Sequence, residues 1–132
     1  LGTITHKIFE LYWDNFDEID IELILNKFEI IEENEQTKIK NSIENFINSN
    51  VYKLLKLGIE HRFELEFNYQ GKIGFIDLVY FDKSKAGWVI VDFKTGIKSQ
   101  EKEKKYQKQL EFYEEVLSAI GKCVVGKEIL WV

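Results

Sequence analysis

Two apolar runs joined by a short polar turn decide the fold of this chain, and residues 73–94 read IGFIDLVYFDKSKAGWVIVDFK. The runs Ile73–Phe81 and Trp88–Phe93 are rich in β-branched and aromatic residues, which favours two β-strands. The polar segment 82–87 contains a glycine and predicts the turn of a hairpin. The middle of the sequence therefore predicts two neighbouring strands, the second and third of a sheet.

Three charged side chains interrupt these strands: Asp77 in the first, and Asp92 and Lys94 in the second. Alternation puts Asp92 and Lys94 on one face, and hairpin pairing brings Asp77 beside them. An unpaired buried carboxylate is costly, and a divalent cation removes that cost. Such hard oxygen ligands favour Mg²⁺ or Mn²⁺ over zinc, and phosphodiester hydrolysis uses a site of this kind. A buried Asp–Lys salt bridge of purely structural value is the alternative that these residues leave open.

The sequence before Gly58 predicts three or four helices, because its apolar residues recur at helical spacing. We expect these apolar stripes to form a core. The stripes are Ile4, Ile8, Leu11 and Tyr12; Ile21, Ile24, Leu25 and Phe28; and Ile39, Ile43, Phe46 and Ile47.

After Gly58 the period changes to the alternation of a strand, over Phe63–Phe67. Residues 100–120 return to helical spacing and end at Gly121, where a C-terminal cap belongs. Residues 123–132 predict a fourth strand. The order indicates an α/β sandwich around a mixed sheet, with residues 1–58 as a helical part and residues 59–132 as the αβ core of a single domain.

Composition limits the class of protein. A net charge of -5 argues against a protein that coats nucleic acid unaided, yet residues 94–108 hold six lysines against two glutamates. Whether Lys98 and the lysines after it touch a DNA backbone or form a solvated helix face is open. The single cysteine, Cys123, excludes an internal disulfide and an iron–sulfur cluster and fits a reducing cytoplasm.

The sequence predicts neither a membrane-spanning protein nor an ATP-binding protein. No stretch approaches the roughly 20 apolar residues of a membrane helix. Residues 121–127 follow most of the nucleotide-binding P-loop pattern, but Glu128 stands where a hydroxyl side chain is needed, so we expect no ATP site.

The charged residues form a pattern, Gly74-x-x-Asp77, a hairpin, and Asp92-x-Lys94-Thr95, which resembles the signature of the PD-(D/E)XK nuclease superfamily in its RecB-like branch. Other segments resemble further motifs of that branch. These are Gly2-Thr3-Ile4-Thr5-His6, Glu64-Leu65-Glu66-Phe67, and Tyr106-x-x-Gln109-Leu110-x-x-x-Tyr113. The resemblance implies a restriction-endonuclease-like fold, a mixed four-stranded sheet flanked by helices with an N-terminal helical part, and a metal-dependent deoxyribonuclease.

The resemblance also implies residue roles. His6, Asp77, Asp92 and the backbone carbonyl of Phe93 would bind the metal, and Lys94 would be the catalytic lysine. Glu64 is the favoured strand-one acid, although Glu66 fits the motif as well. Gln109, Tyr113 and Tyr106 would position the lysine or contact DNA. A solvated histidine, and a polar helix edge with aromatic core residues, are the simpler interpretations of His6 and of the helix motif.

Branch members that lack a four-cysteine cluster occur at the C-terminus of AddA- or RecB-type bacterial helicase–nucleases. The resemblance therefore implies an exonuclease domain of a longer cytoplasmic bacterial protein. It would degrade single strands delivered by a fused helicase, beside an AddB- or RecC-type partner subunit, in double-strand break repair and recombination. One alternative is an inactive relative that binds DNA or a partner, which the intact Asp77, Asp92 and Lys94 disfavour. Another is a restriction-type endonuclease, for which 132 residues leave little room.

Overall fold

The computed structural model describes residues 2–132, which form two compact units. The first comprises the described residues up to Leu57 together with Val132, and the second comprises Gly58–Trp131. The units divide at Gly58, where the spacing of apolar residues changes from helical to alternating. That the helical part and the αβ core form one domain stays a prediction.

The helical unit, over its described residues, contains α1 (Gly2–Tyr12), α2 (Ile21–Lys27), α3 (Glu33–Ile47) and α4 (Asn50–Lys56). The side chains of Asp20 and Ser49 cap α2 and α4 by accepting backbone hydrogen bonds in the first turn. The rings of Phe9 and Phe46 stack at 4.3 Å between centroids and join α1 to α3. Six of the twelve residues of the predicted apolar stripes are buried here and five are half-buried, but Leu11 is 50% exposed and lies outside the core.

The second unit contains β1 (His61–Tyr69), β2 (Lys72–Asp82), β3 (Gly87–Lys94), α5 (Gln100–Ala119) and β4 (Val124–Trp131). The sheet order is β1-β2-β3-β4, with antiparallel pairing up to β3 and parallel pairing between β3 and β4. The helix α5 supplies the crossover that parallel strands require. The prediction of an α/β fold with a mixed four-stranded sheet is therefore confirmed.

Local sequence explains where α5 begins and ends. The Ser99 hydroxyl accepts a hydrogen bond from Lys102 N at the first turn. Gly121 follows the helix at φ 83, and Lys122 N donates back to Leu117 O, which closes the last turn as a glycine cap does. Within residues 2–132, no helix combines the length and the apolar character needed to cross a membrane.

One face of the sheet packs against α5. The core of this interface is a buried cluster that contains Ile76, Val79, Ile90, Leu110, Tyr113 and Leu117. Gly74 is needed at its edge, because a Cβ there would lie only 2.7 Å from the ring of Phe67. Phe67 in turn packs edge-on against Tyr113, at 5.8 Å between ring centroids. This packing sets α5 over the part of β2 that carries Asp77.

Candidate active site and metal centre

Asp77 lies where β2 and β3 stop pairing. Their antiparallel ladder runs from Asp82↔Gly87 to Leu78↔Val91 and goes no further. Phe93 N therefore has no ladder partner on β2, and it donates a 2.8 Å hydrogen bond to Asp77 Oδ2 instead. The carboxylate thus replaces a backbone acceptor at the point where the strands diverge.

Asp92 is the second carboxylate of the site and the most buried acidic group there. It is 2% exposed, and its side chain hydrogen-bonds with that of Asp77. Lys94 Nζ lies 3.0 Å from Asp92 Oδ2. The pair is close but not aligned for a hydrogen bond, and Oδ2 accepts none from any described residue. A buried carboxylate oxygen therefore remains available for a further ligand.

The two carboxyl groups cannot both be ionised cheaply in the absence of a cation. Burial, then the hydrogen bond to Asp92 and its charge, raise the pKa of Asp77 to about 8, against the opposing effect of the Phe93 N–H. The raised pKa favours the protonated form of Asp77, while Asp92 pairs with Lys94. Paired carboxylates that share a proton are typical of sites that bind cations or move protons.

Lys94 reaches this pair from the same face of β3 as Asp92, as alternation predicts. Its side chain is 21% exposed. The ammonium lies 4.4 Å from the centroid of the Tyr106 ring, so it has an aromatic face on one side and a carboxylate on the other.

Glu64 and Glu66, which the sequence left as alternatives, differ in the structure. Glu64 has a positive φ of 49, between the paired residues Phe63 and Leu65, and is half-buried. A carboxylate oxygen of Glu64 lies within 4.8 Å of one of Asp77. Glu66 is exposed and pairs with Phe75. The left-handed conformation costs an L-residue roughly 1–2 kcal/mol, and such strain gathers at functional sites.

The helix α5 contributes the polar residues of the Tyr-x-x-Gln-Leu segment. Gln109 Nε2 donates a 2.9 Å hydrogen bond to the Tyr113 hydroxyl. Gln109 Oε1 is buried and accepts no hydrogen bond from the described residues. Burial, then the charges of Asp92 and Asp77, raise the pKa of Tyr113 well above its ordinary value, so its hydroxyl stays protonated close to both carboxylates.

Two further predicted residues lie on other segments of the chain. His6 is half-buried on α1, in the helical unit. Lys98 lies before α5, is largely exposed, and pairs with Glu103 at 3.3 Å. Their roles as metal ligand and DNA contact stay predictions.

Trp131 is a residue of the site that the sequence did not suggest. It pairs with Lys94 across the parallel ladder, and its ring lies 6.0 Å from that of Tyr106. Only the register between β3 and β4 reveals this proximity, because the two residues are far apart in the sequence.

The family model of the PD-(D/E)XK nuclease superfamily matches residues 1–131. The chain belongs to this superfamily, whose members are generally nucleases that use divalent metal ions. No curated protein matches the sequence significantly. Family membership and fold together support metal-dependent nuclease activity with DNA as the substrate.

The residues present fit a hard divalent cation. Asp92 Oδ2 is a buried carboxyl oxygen without a hydrogen-bond donor among the described residues, and a cation would offset the burial that raises the pKa of Asp77. Glu64 adds a third carboxylate near Asp77. Carboxylate donors of this kind suit Mg²⁺ or Mn²⁺.

Proposed function

We propose that this protein is an Mg²⁺-dependent deoxyribonuclease, with Mn²⁺ able to substitute, whose centre is Asp77, Asp92 and Lys94. The observation that carries the proposal is the arrangement of the two carboxyl groups and the ammonium group at the diverging ends of β2 and β3. A purely structural salt bridge would not need a second carboxyl group beside it. Membership of a nuclease superfamily gives independent support.

By family resemblance, the metal ligands would be Asp77, Asp92, the Phe93 carbonyl and His6. A bound cation would polarise the phosphodiester and acidify the attacking water. The protein itself holds the ligands: the Phe93 N–H fixes one oxygen of Asp77, and burial holds Asp92 in place. Proton release from Asp77 makes both carboxylates available.

Lys94 orients the attacking water and stabilises the charge that develops on the phosphoryl oxygens, through an ammonium that is already in place before reaction. The water oxygen bonds to phosphorus while the bond to the leaving nucleotide oxygen breaks. That oxygen takes up a proton, and the products are a phosphate monoester and a hydroxyl. Glu64 orients the water or a neighbouring side chain, and Gln109 and Tyr113 position the lysine or the DNA strand.

The finer assignment is an exonuclease that acts on single strands delivered by a fused or associated helicase. It rests on the RecB-like motifs and on the distribution of charge. The net charge of -5 gives weak intrinsic affinity for DNA, whereas the lysines of residues 94–108 lie in and before the exposed first half of α5. Weak affinity suits a domain that a larger machine feeds with substrate. An AddB- or RecC-type partner and a role in double-strand break repair in the bacterial cytoplasm follow from the same resemblance.

Incubation with end-labelled single-stranded DNA tests this function. We expect cleavage in Mg²⁺ or Mn²⁺ and none in EDTA, because the carboxylates cannot act on phosphate without a cation. An exonuclease is expected to release single nucleotides or short products from the ends. It is also expected to leave a closed circular strand intact. Cutting of the circle would indicate an endonuclease, and binding of DNA without cleavage in either metal would indicate an inactive relative.

Two strand-one variants test the role of Glu64. Glu64→Gln is expected to lower cleavage about 10–100-fold, as loss of a group that orients a metal site does. The matched variant Glu66→Gln removes an exposed charge two residues away on β1 and is expected to keep wild-type activity. Initial rates with Mg²⁺ measure the difference, and the reverse ranking would assign the role to Glu66.

A further inference from the structure

Trp131 and Lys94 are direct neighbours on adjacent parallel strands. The β3–β4 ladder pairs Asp92 with Ile129 and Lys94 with Trp131. Ile129 packs against the core cluster beneath α5, and Trp131 lies two residues further along the same face. The Trp131 side chain therefore lies on the α5 side of the sheet, as Lys94 does.

Tyr106 connects these two residues. Its ring lies 6.0 Å from that of Trp131 at an interplanar angle of 55°, and 4.4 Å from Lys94 Nζ. Lys94 Nζ is in turn 3.0 Å from Asp92 Oδ2. The contacts thus form a continuous series from Trp131 through Tyr106 to the ammonium and its carboxylate.

We propose that Trp131 and Tyr106 act as a pair of positioning residues that hold the Lys94 ammonium in its working place, an inference that rests on the function proposed above. A lysine has a flexible four-carbon stem and loses precision unless its head group is held. The Tyr106 ring face attracts the ammonium. Trp131 packs against that ring and prevents it from turning away.

The same sheet contains a similar contact outside the site. Lys122 Nζ lies 4.5 Å from the centroid of the Trp88 ring, at the opposite end of β3. Trp88, like Trp131, is partly buried, and it packs against the core cluster. A Trp88→Leu variant is therefore a matched control for loss of a tryptophan and of its packing.

The test compares Trp131→Leu, Tyr106→Leu and Trp88→Leu in the purified protein. We expect the first two to lower kcat roughly tenfold, the size of effect that loss of a partly desolvated cation–π contact gives, with little change in KM. Trp88→Leu should keep kcat while lowering thermal stability. Tyr106→Phe and Trp131→Tyr keep the aromatic faces and should keep most of kcat. If the Tyr106 hydroxyl or the Trp131 indole N–H were required, these two variants would lose kcat as the leucine variants do.

A second measurement does not depend on cleavage. The Lys94 ε-methylene protons, observed by NMR in metal-free protein, should be shifted upfield by the Tyr106 ring and should move toward ordinary lysine values in Tyr106→Leu and Trp131→Leu. Unchanged Lys94 resonances in Trp131→Leu, or a kcat loss no larger than that of Trp88→Leu, would overturn the inference. Failure of the wild-type protein to cleave DNA would instead contradict the proposed function, while the resonances would still report whether Trp131 holds the ammonium.

Discussion

Replacing Lys94 by methionine is expected to lower kcat for DNA cleavage by about 10²–10³, the usual cost of removing one preorganised donor from a site where charge develops. Methionine keeps the apolar stem that packs on Tyr106 but has no charge to offer. Binding of Mn²⁺ should persist or become tighter, because the ammonium no longer neutralises Asp92 at 3.0 Å. Rates under saturating Mg²⁺ and calorimetric titration with Mn²⁺ measure the two effects separately.

The matched control is Lys127→Met. Lys127 lies on the neighbouring strand β4, where it pairs with Glu114 at 2.5 Å. Loss of that partly exposed pair should leave kcat unchanged and cost at most about 1 kcal/mol of stability. A Lys94→Met protein that cleaves DNA at the wild-type rate would remove Lys94 from the mechanism, and one that no longer binds Mn²⁺ would make it a structural part of the metal site.

Residue alternation was sufficient to predict the pairing of Asp92 with Lys94. Side chains two apart on a strand share a face, and the structure confirms this with the ion pair between them. The hairpin turn at residues 82–87 likewise predicted that the strand with Asp77 lies next to the strand with Asp92. These parts of the site follow from local rules, so a single sequence was enough to predict them.

The remaining contacts of the site depend on where regular pairing fails. The bond from Phe93 N to Asp77 exists because the β2–β3 ladder ends at Leu78↔Val91, and no local rule fixes that end. Glu64 departs from the regular alternation of β1 through its positive φ, which its sequence does not signal. The place of Trp131 depends on a parallel register that contains a shift near Trp88.

Asp77→Asn is the variant for which metal binding and stability should change in opposite directions. The raised pKa means that the folded protein keeps a proton on Asp77 up to about pH 8, whereas the unfolded chain releases it near pH 4. Between these values the folded state binds more protons, so the free energy of unfolding of the metal-free protein falls as pH rises. An asparagine amide cannot ionise, and it can still accept from Phe93 N and donate to Asp92.

We therefore expect metal-free Asp77→Asn to unfold at a higher temperature than wild type at pH 9, and at a similar temperature near pH 4. The variant should lose cleavage and the stabilisation that Mn²⁺ gives the wild-type protein, since a neutral amide is a much weaker ligand for a hard cation. Wild-type binding of Mn²⁺ at pH 7 should release about one proton, measured by calorimetry in buffers of different ionisation enthalpy, and the variant should release none.

Asp82→Asn, on the same strand but in the hairpin turn, should leave metal binding and proton release unchanged. Equal pH dependence of unfolding in wild type and Asp77→Asn would mean that Asp77 is already ionised in the folded protein, and the two carboxyl groups would then not share a proton.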